Sequence, residues 1–339
     1  MSWQRVKGHE VQVRAFERPY RCGRLAHAYL FVGPRGVGKH LFAQELAKSI
    51  LCEAPPEPAR LEACDRCPAC QQVEAGSHPD FFTAGRPGDS LELPIEVVRD
   101  LCRGFSLKSA RGRGKVAILD DADDLNDASA NCFLKTLEEP PPRSLFILVG
   151  SSPDRQLPTI VSRCQVVRFA PLPDAVTADL LRAGGIEGET LVARLARLSG
   201  GSPGEALALA DPALWEFRRT LLEALAASRP DSVALGQAWM RFVEEAGKEA
   251  GPQRRRAALV LRLLIALVED ALAISLGGTP RLTEAEDLRV LEGLTRRVET
   301  GRLLEVLERC LEADAQIDRR VQLALVVEAL ADALGQLLK

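Results

Sequence analysis

The feature that constrains this chain most is the octapeptide GPRGVGKH, residues 33–40. It lies between the apolar run AYLFV (28–32) and the helical pattern HLFAQELAKSIL (40–51). Gly33, Gly36 and Gly38 let a backbone wrap closely around phosphate oxygens, and Lys39 supplies a point charge for terminal phosphates. Strand, glycine loop, helix is the order that a phosphate site needs, so the first part of the chain is committed to an α/β arrangement. Phe42, Leu46 and Ile50 recur four apart, which puts them on one stripe of a helix that packs on a sheet. The loop departs from the pattern at its last position. His40 stands where a Mg²⁺-binding NTPase carries a Ser or Thr hydroxyl.

Three more short apolar runs follow the loop: VAIL (116–119), LFILV (145–149) and VVRF (166–169), separated by helical patterns. Nearly all-apolar strands spaced by helices predict a parallel sheet covered on both faces. After PLPD (171–174) the β-type runs end and Leu and Ala dominate. Turn signals in GGSPGEAL (200–207) and at 211–215 divide what remains. A chain of 339 residues holds two or three domains at roughly 100 to 200 residues each. The expected division is a P-loop α/β domain over 1–172, a small helical lid over 173–210 and an all-α collar over 211–339.

A second element of the loop site is VAILDDADDL. Here Asp120 and Asp121 leave the end of an apolar strand where carboxylates that hold a metal or orient water are expected. A solvated acidic turn is the plainer reading of the same residues. Cys52, Cys64, Cys67 and Cys70 form C-x₁₁-C-x₂-C-x₂-C in a Pro-rich stretch, spacing that suits a closed, tetrahedral, structural Zn²⁺ site within a module over 52–70. Cys22, Cys102, Cys132 and Cys310 show no such spacing and are expected as small buried hydrophobes.

Lys and Arg number 44 and Asp and Glu 47, a net charge of −3, which gives no global basic field for nucleic acid. The run Arg254, Arg255, Arg256 reads as a solvated face. The apolar stretch 257–276 is interrupted by Arg262, Glu269 and Asp270, so it is expected as a bundle helix and not a membrane span. The segment MSWQRVKGHEVQVRAF does not read as a signal peptide, and a cytoplasmic location is expected.

NCFLKTLEEPPP (131–142), PTIVSRC (158–164), KGHE (7–10) and RLAHAYLFVGPRGVGK (24–39) resemble signature stretches of bacterial clamp-loader subunits, AAA+ proteins of the DNA polymerase III holoenzyme. The resemblance is strong over 1–172, weaker to about 210 and compositional beyond. It implies an AAA+ fold with a zinc-module insertion, ATP or ADP at the loop, and Ser151 at a nucleotide-sensing position. It also implies that Arg163 is an arginine finger reaching into a neighbour's ATP site.

Three departures separate the chain from the family's motor subunits: His40, Asp121 in place of a water-orienting Glu, and Gly204 in place of the lid arginine. They point to the delta-prime branch, a scaffold with weak or absent hydrolysis of its own. The implied partners are motor (gamma/tau) and delta subunits, the sliding clamp, and primed DNA through the complex, with no membrane. Two other readings stay open: an active gamma/tau-type ATPase, and an AAA+ recombination or repair ATPase.

Overall fold

The computed structural model describes residues 2–57, 60–87, 92–281 and 284–339. Residues 58 and 59 of the cysteine module lie outside them. Contacts divide the chain into two compact units, Met1–Leu180 with Gly200–Glu205, and Leu181–Ser199 with Ala206–Lys339.

The first unit is built on five parallel strands: β1 (Ala28–Val32), β2 (Phe81–Ala84), β3 (Lys115–Leu119), β4 (Ser144–Gly150) and β5 (Gln165–Arg168), in the order β2-β3-β4-β1-β5. Register runs Ala28 to Phe146, Lys115 to Ser144, Phe81 to Val116 and Tyr29 to Gln165. Four strands fall where the apolar runs predicted them. The fifth, β2, is a correction to the sequence reading. Its four residues are too few to show a period, and its place at the sheet edge leaves Thr83 exposed.

Alternate residues of the same strands feed two cores, as side chains on a pleated strand must. Tyr29, Phe31, Ile118, Ile147 and Val149 face helices α1 (Glu10–Arg21) and α2 (Lys39–Leu51), meeting Phe16, Phe42 and Leu46; Ile50 packs at the margin. Leu30, Val32, Ala117, Leu119, Phe146 and Leu148 face Val98, Leu101 and Phe105 of α4 (Ile95–Ser106), and Phe133 and Leu137 of α5 (Asp127–Glu138). Between them in the chain lies α3 (Pro68–Glu74), and the short α6 (Pro158–Val161) leads into β5. Helices on both faces of a parallel sheet are the architecture the sequence predicted.

From Asp174 onward every described element is a helix: α7 (Asp174–Ala183), α8 (Glu189–Leu198), α9 (Pro203–Leu209), α10 (Pro212–Ala226), α11 (Ser232–Glu244), α12 (Ala250–Ser275), α13 (Ala285–Arg297), α14 (Thr300–Asp318) and α15 (Leu323–Leu337). In the second unit Trp239 is buried at the centre, and Phe217 stacks on Phe242 with centroids 4.7 Å apart. Arg218 of α10 forms a buried, two-pronged ion pair with Asp287 of α13. Of the basic run, Arg254 donates to the carbonyls of Val321 and Arg320, and Arg256 lies over the Phe242 ring. These two arginines bind the bundle together and do not form a free solvated face. No described helix is long and apolar enough to cross a membrane.

Candidate functional site

The glycine loop follows β1 directly, at the carboxyl end of the sheet and beside the point where the strand order reverses, the place where open α/β sheets bind ligands. Only glycine fits its first position. A Cβ on Gly33, whose φ is +148°, would stand 2.1 Å from the Phe169 carbonyl oxygen. Gly36 (φ +71°) and Gly38 (φ +103°) hold left-handed backbone, and Gly38 caps α2. Lys39, the first residue of that helix, is buried, and its ammonium donates to the carbonyls of Gly33 and Pro34 at 2.6 Å each. Burial pulls Lys39 down to about 8, against the opposing field of Asp123. An incoming phosphate would compete with the two carbonyls for this charge.

His40 Nδ1 sits 2.6 Å from Asp120 Oδ2. The hydrogen bond to Asp120 holds the imidazole above its ordinary value, against a partial loss of solvent. The residue in place of the hydroxyl and the carboxylate at the strand end therefore engage each other. This arrangement does not fit Mg²⁺: no hydroxyl is present at position 40, and a ligand oxygen of Asp120 is already paired.

Asp121 adopts a left-handed backbone (φ +51°) and opens a 3₁₀ turn, Ala122–Asp124, with its carboxylate beside Gly85. Within that turn Asp123, which the sequence reading passed over, does most of the joining. It accepts from the Ser151 amide at 2.8 Å and from Gln156 Nε2 at 2.7 Å. Ser151 in turn accepts the Gly33 amide at 3.0 Å, so its backbone ties β4 to the loop. The signal for Asp123 was present in the acidic repeat itself, since a carboxylate at the third position of a turn after a strand can face back to the neighbouring strand. Asp124 pairs with Arg86 at 2.7 Å.

Gly204 touches the loop through backbone alone. Its amide donates to the Gly36 carbonyl at 3.0 Å, and Ser202 Oγ donates to the Arg35 carbonyl at 2.7 Å. A Cβ on Gly204 would lie 2.8 Å from Gly36 Cα, so this approach leaves no room for any side chain. Gly33, Gly36, Gly38, Lys39, His40, Asp120 and Ser151 thus form one locality.

The four module cysteines form another. Their sulfurs all lie within 4.8 Å of one another, with Cys52 to Cys67 and Cys64 to Cys70 each at 4.0 Å. A metal–sulfur bond of about 2.3 Å puts the corners of a tetrahedron about 3.8 Å apart, so the set fits a thiolate-bound ion. Backbone amides of Cys64, Cys67 and Cys70 donate to the sulfurs of Cys52, Cys64 and Cys67. Though burial opposes it, such donors hold the Cys67 thiol down to about 6, toward the thiolate that a metal needs. The group could hold a metal ion.

The module is tied down by charge. Buried Lys48 of α2 pairs with Glu45 and Asp65 at 2.9 Å and Glu74 at 3.3 Å, and the Trp3 indole donates to the Leu61 carbonyl. Arg111 reaches Glu53 and Gln72. Of the other cysteines singled out, Cys310 is buried as expected and Cys102 and Cys132 are partly buried, but Cys22 is exposed. It follows the last turn of α1, whose only buried residue is Phe16.

Arg163 stands apart from both localities. It follows α6, is about one-third exposed, and its guanidinium meets Thr159, Ser162 and Glu138. No group of its own loop site lies among these contacts.

Comparison with known proteins places these observations. Residues 8–173 match the family described as DNA polymerase III, delta subunit. The DNA polymerase III subunit delta′ of Escherichia coli is 33% identical over 289 residues, spanning 85% of this chain and 82% of that protein. The delta′ subunit of Pseudomonas aeruginosa is 38% identical over 63% of this chain and 66% of its own length. The tau subunit of E. coli is 37% identical over 47% of this chain but only 24% of itself. With a relative matched along four-fifths of its length, the chain belongs to the DNA polymerase III delta-prime subunit family.

Proposed function

We propose that this chain is the scaffold subunit of a clamp loader, binding motor (gamma/tau) and delta subunits in a ring that opens a sliding clamp and places it on primed DNA. In this reading residues 1–172 are the AAA+ domain, 173–210 the lid and 211–339 the collar that joins the ring, all in the cytoplasm. Cys52, Cys64, Cys67 and Cys70 hold one structural Zn²⁺. Arg163 acts in trans, stabilising charge on the phosphates in a neighbour's site.

The observation that carries the proposal is the pairing of His40 with Asp120. It occupies the two positions from which a motor subunit would hold Mg²⁺, while Arg163 keeps its guanidinium about one-third exposed. The loop glycines and Lys39 support binding of ATP or ADP without turnover, with Asp121 and Ser151 lining the same end of the sheet.

Two measurements test this. The isolated chain is expected to show no Mg²⁺-dependent hydrolysis near an ordinary enzyme turnover of about 1 s⁻¹ or more, and His40→Thr alone is not expected to create it. In the reconstituted complex, Arg163→Ala is expected to lower clamp- and DNA-stimulated hydrolysis without loss of assembly. The fall should be smaller than the ~10³ to 10⁵ of a sole finger, because other boundaries carry their own. Steady turnover by the isolated chain would establish the motor reading instead.

A further inference from the structure

We propose that Glu138 is the positioning residue for Arg163, an inference that rests on the finger role proposed above. Glu138 ends α5, and Arg163 follows α6, 25 residues later in the chain. The Arg163 Nη2 group donates to Glu138 Oε1 at 2.7 Å, and Nη1 donates to the Thr159 carbonyl at 3.0 Å, with Ser162 Oγ 3.3 Å away. A carboxylate on one side and a carbonyl on the other fix the plane of the guanidinium and not only its location.

Both supports are rooted in one core. Leu137, the residue before Glu138, and Ile160, the residue after Thr159, are buried in the same apolar cluster as Phe133 and Phe146. The two acceptors therefore sit on backbone that packing holds still, while the arginine they grip is about one-third exposed. A guanidinium has five N–H donors, and the contacts described engage at most three. The remaining donors are left for an anion presented by another chain.

This seat is poorly suited to be a stability device. Glu138 is half-exposed, and ion pairs of that kind contribute little to folding. Its geometry is suited to preorganisation: an arginine already oriented loses less freedom when it meets a transition state, so removing the seat lowers the rate without removing the charge. Glu138 touches neither nucleotide nor reacting atoms in this scheme and acts only through Arg163.

The experiment uses the reconstituted complex with four variants of this chain: Glu138→Ala, Glu138→Gln, Arg163→Ala, and Glu138→Ala combined with Arg163→Ala. Stimulated ATP hydrolysis is resolved into kcat and KM, with thermal unfolding of each chain as a control. Glu138→Ala is expected to lower kcat roughly threefold to tenfold with KM, assembly and melting unchanged. Glu138→Gln, which keeps an oxygen acceptor, is expected to retain most of the rate. In the Arg163→Ala background, Glu138→Ala is expected to have no further effect, because its target is gone. If Arg163→Ala is slow but Glu138→Ala runs at or above the wild-type rate, the positioning role is wrong and the finger stands. Losses that multiply in the double variant overturn it as well, since Glu138 then acts on something else. If Arg163→Ala itself runs at the wild-type rate, the finger reading fails and takes the positioning role with it.

Discussion

The cysteine module and the glycine loop both gather reactive side chains, yet they do opposite things with them. In the module four thiols converge to within 4.8 Å of one another and are bridged mainly by backbone amides, with no cation among their partners in the described residues. At the loop most of the charged groups have already found partners: Lys39 the carbonyls of Gly33 and Pro34, His40 and Asp120 each other, Asp123 the Ser151 amide and Gln156, and Asp124 Arg86. Convergence of the right residue types therefore reports a working site only when the pairing among them is counted. The module is poised to take a ligand, whereas the loop is largely satisfied without one.

The comparison can be broken most decisively at the module. If its thiols are a metal centre, protein purified without chelator should carry about one zinc per chain, and Cys67→Ser should reduce that to none. Apparent binding free energies of ~10 to 16 kcal/mol are typical of structural zinc in small peptides. Loss of metal should therefore open the 52–75 segment to proteolysis while far-ultraviolet circular dichroism keeps the sheet's signal. Metal-free protein with an unchanged cleavage pattern would mean that the module is held by its ion pairs alone.

A smaller effect is expected where the loop meets the 202–205 turn. Gly36→Ala forces a side chain into left-handed backbone and against Ser202 Oγ, which a Cβ would approach to 2.4 Å. Destabilisation of about 1 to 3 kcal/mol should follow, read as a lower Tm. Gly204→Ala should cost a similar amount by parting the two backbones. An unchanged Tm in both would show that the turn is not anchored as described.

The smallest effect concerns His40. Its folded value is raised by Asp120, so the pair stabilises the protein fully below the unfolded value of about 6.5, and the contribution is lost as pH rises through the raised folded value. Both side chains are partly exposed, so the total should stay under about 1 kcal/mol. Thermal unfolding from about pH 5 to about pH 9 should show a decline in the wild type that His40→Gln removes. Identical profiles would mean that the pair is not formed in solution.

Much of the molecule was legible in advance because its signals are local. AYLFV, VAIL and LFILV are apolar on both faces and spaced by helical patterns, which suggests strands of a covered parallel sheet, and the cysteine spacing suits a closed metal site. What escaped was set by distant partners. FFTA is too short to announce an edge strand, and nothing near Asp123 in sequence shows that it holds the Ser151 amide. Likewise, Cys22 looks like a core thiol until Phe16 is known to be the one fully buried residue of α1. The assignment of Arg163 came from resemblance alone; its seat on Glu138 needed coordinates.

Helix α2 begins at Lys39 and ends one residue before Cys52, so a single rod of 13 residues joins the glycine loop to the first thiol. The consequence is one of phase. Each residue added to or removed from that rod turns one end about 100° relative to the other and shifts it about 1.5 Å. Such a change would swing Cys52 away from its three companions while Lys39 stayed in place. The 13 residues of α2 act as a fixed gauge, and a frame-preserving insertion there should cost the four thiols their common position and so the capacity to hold a metal ion.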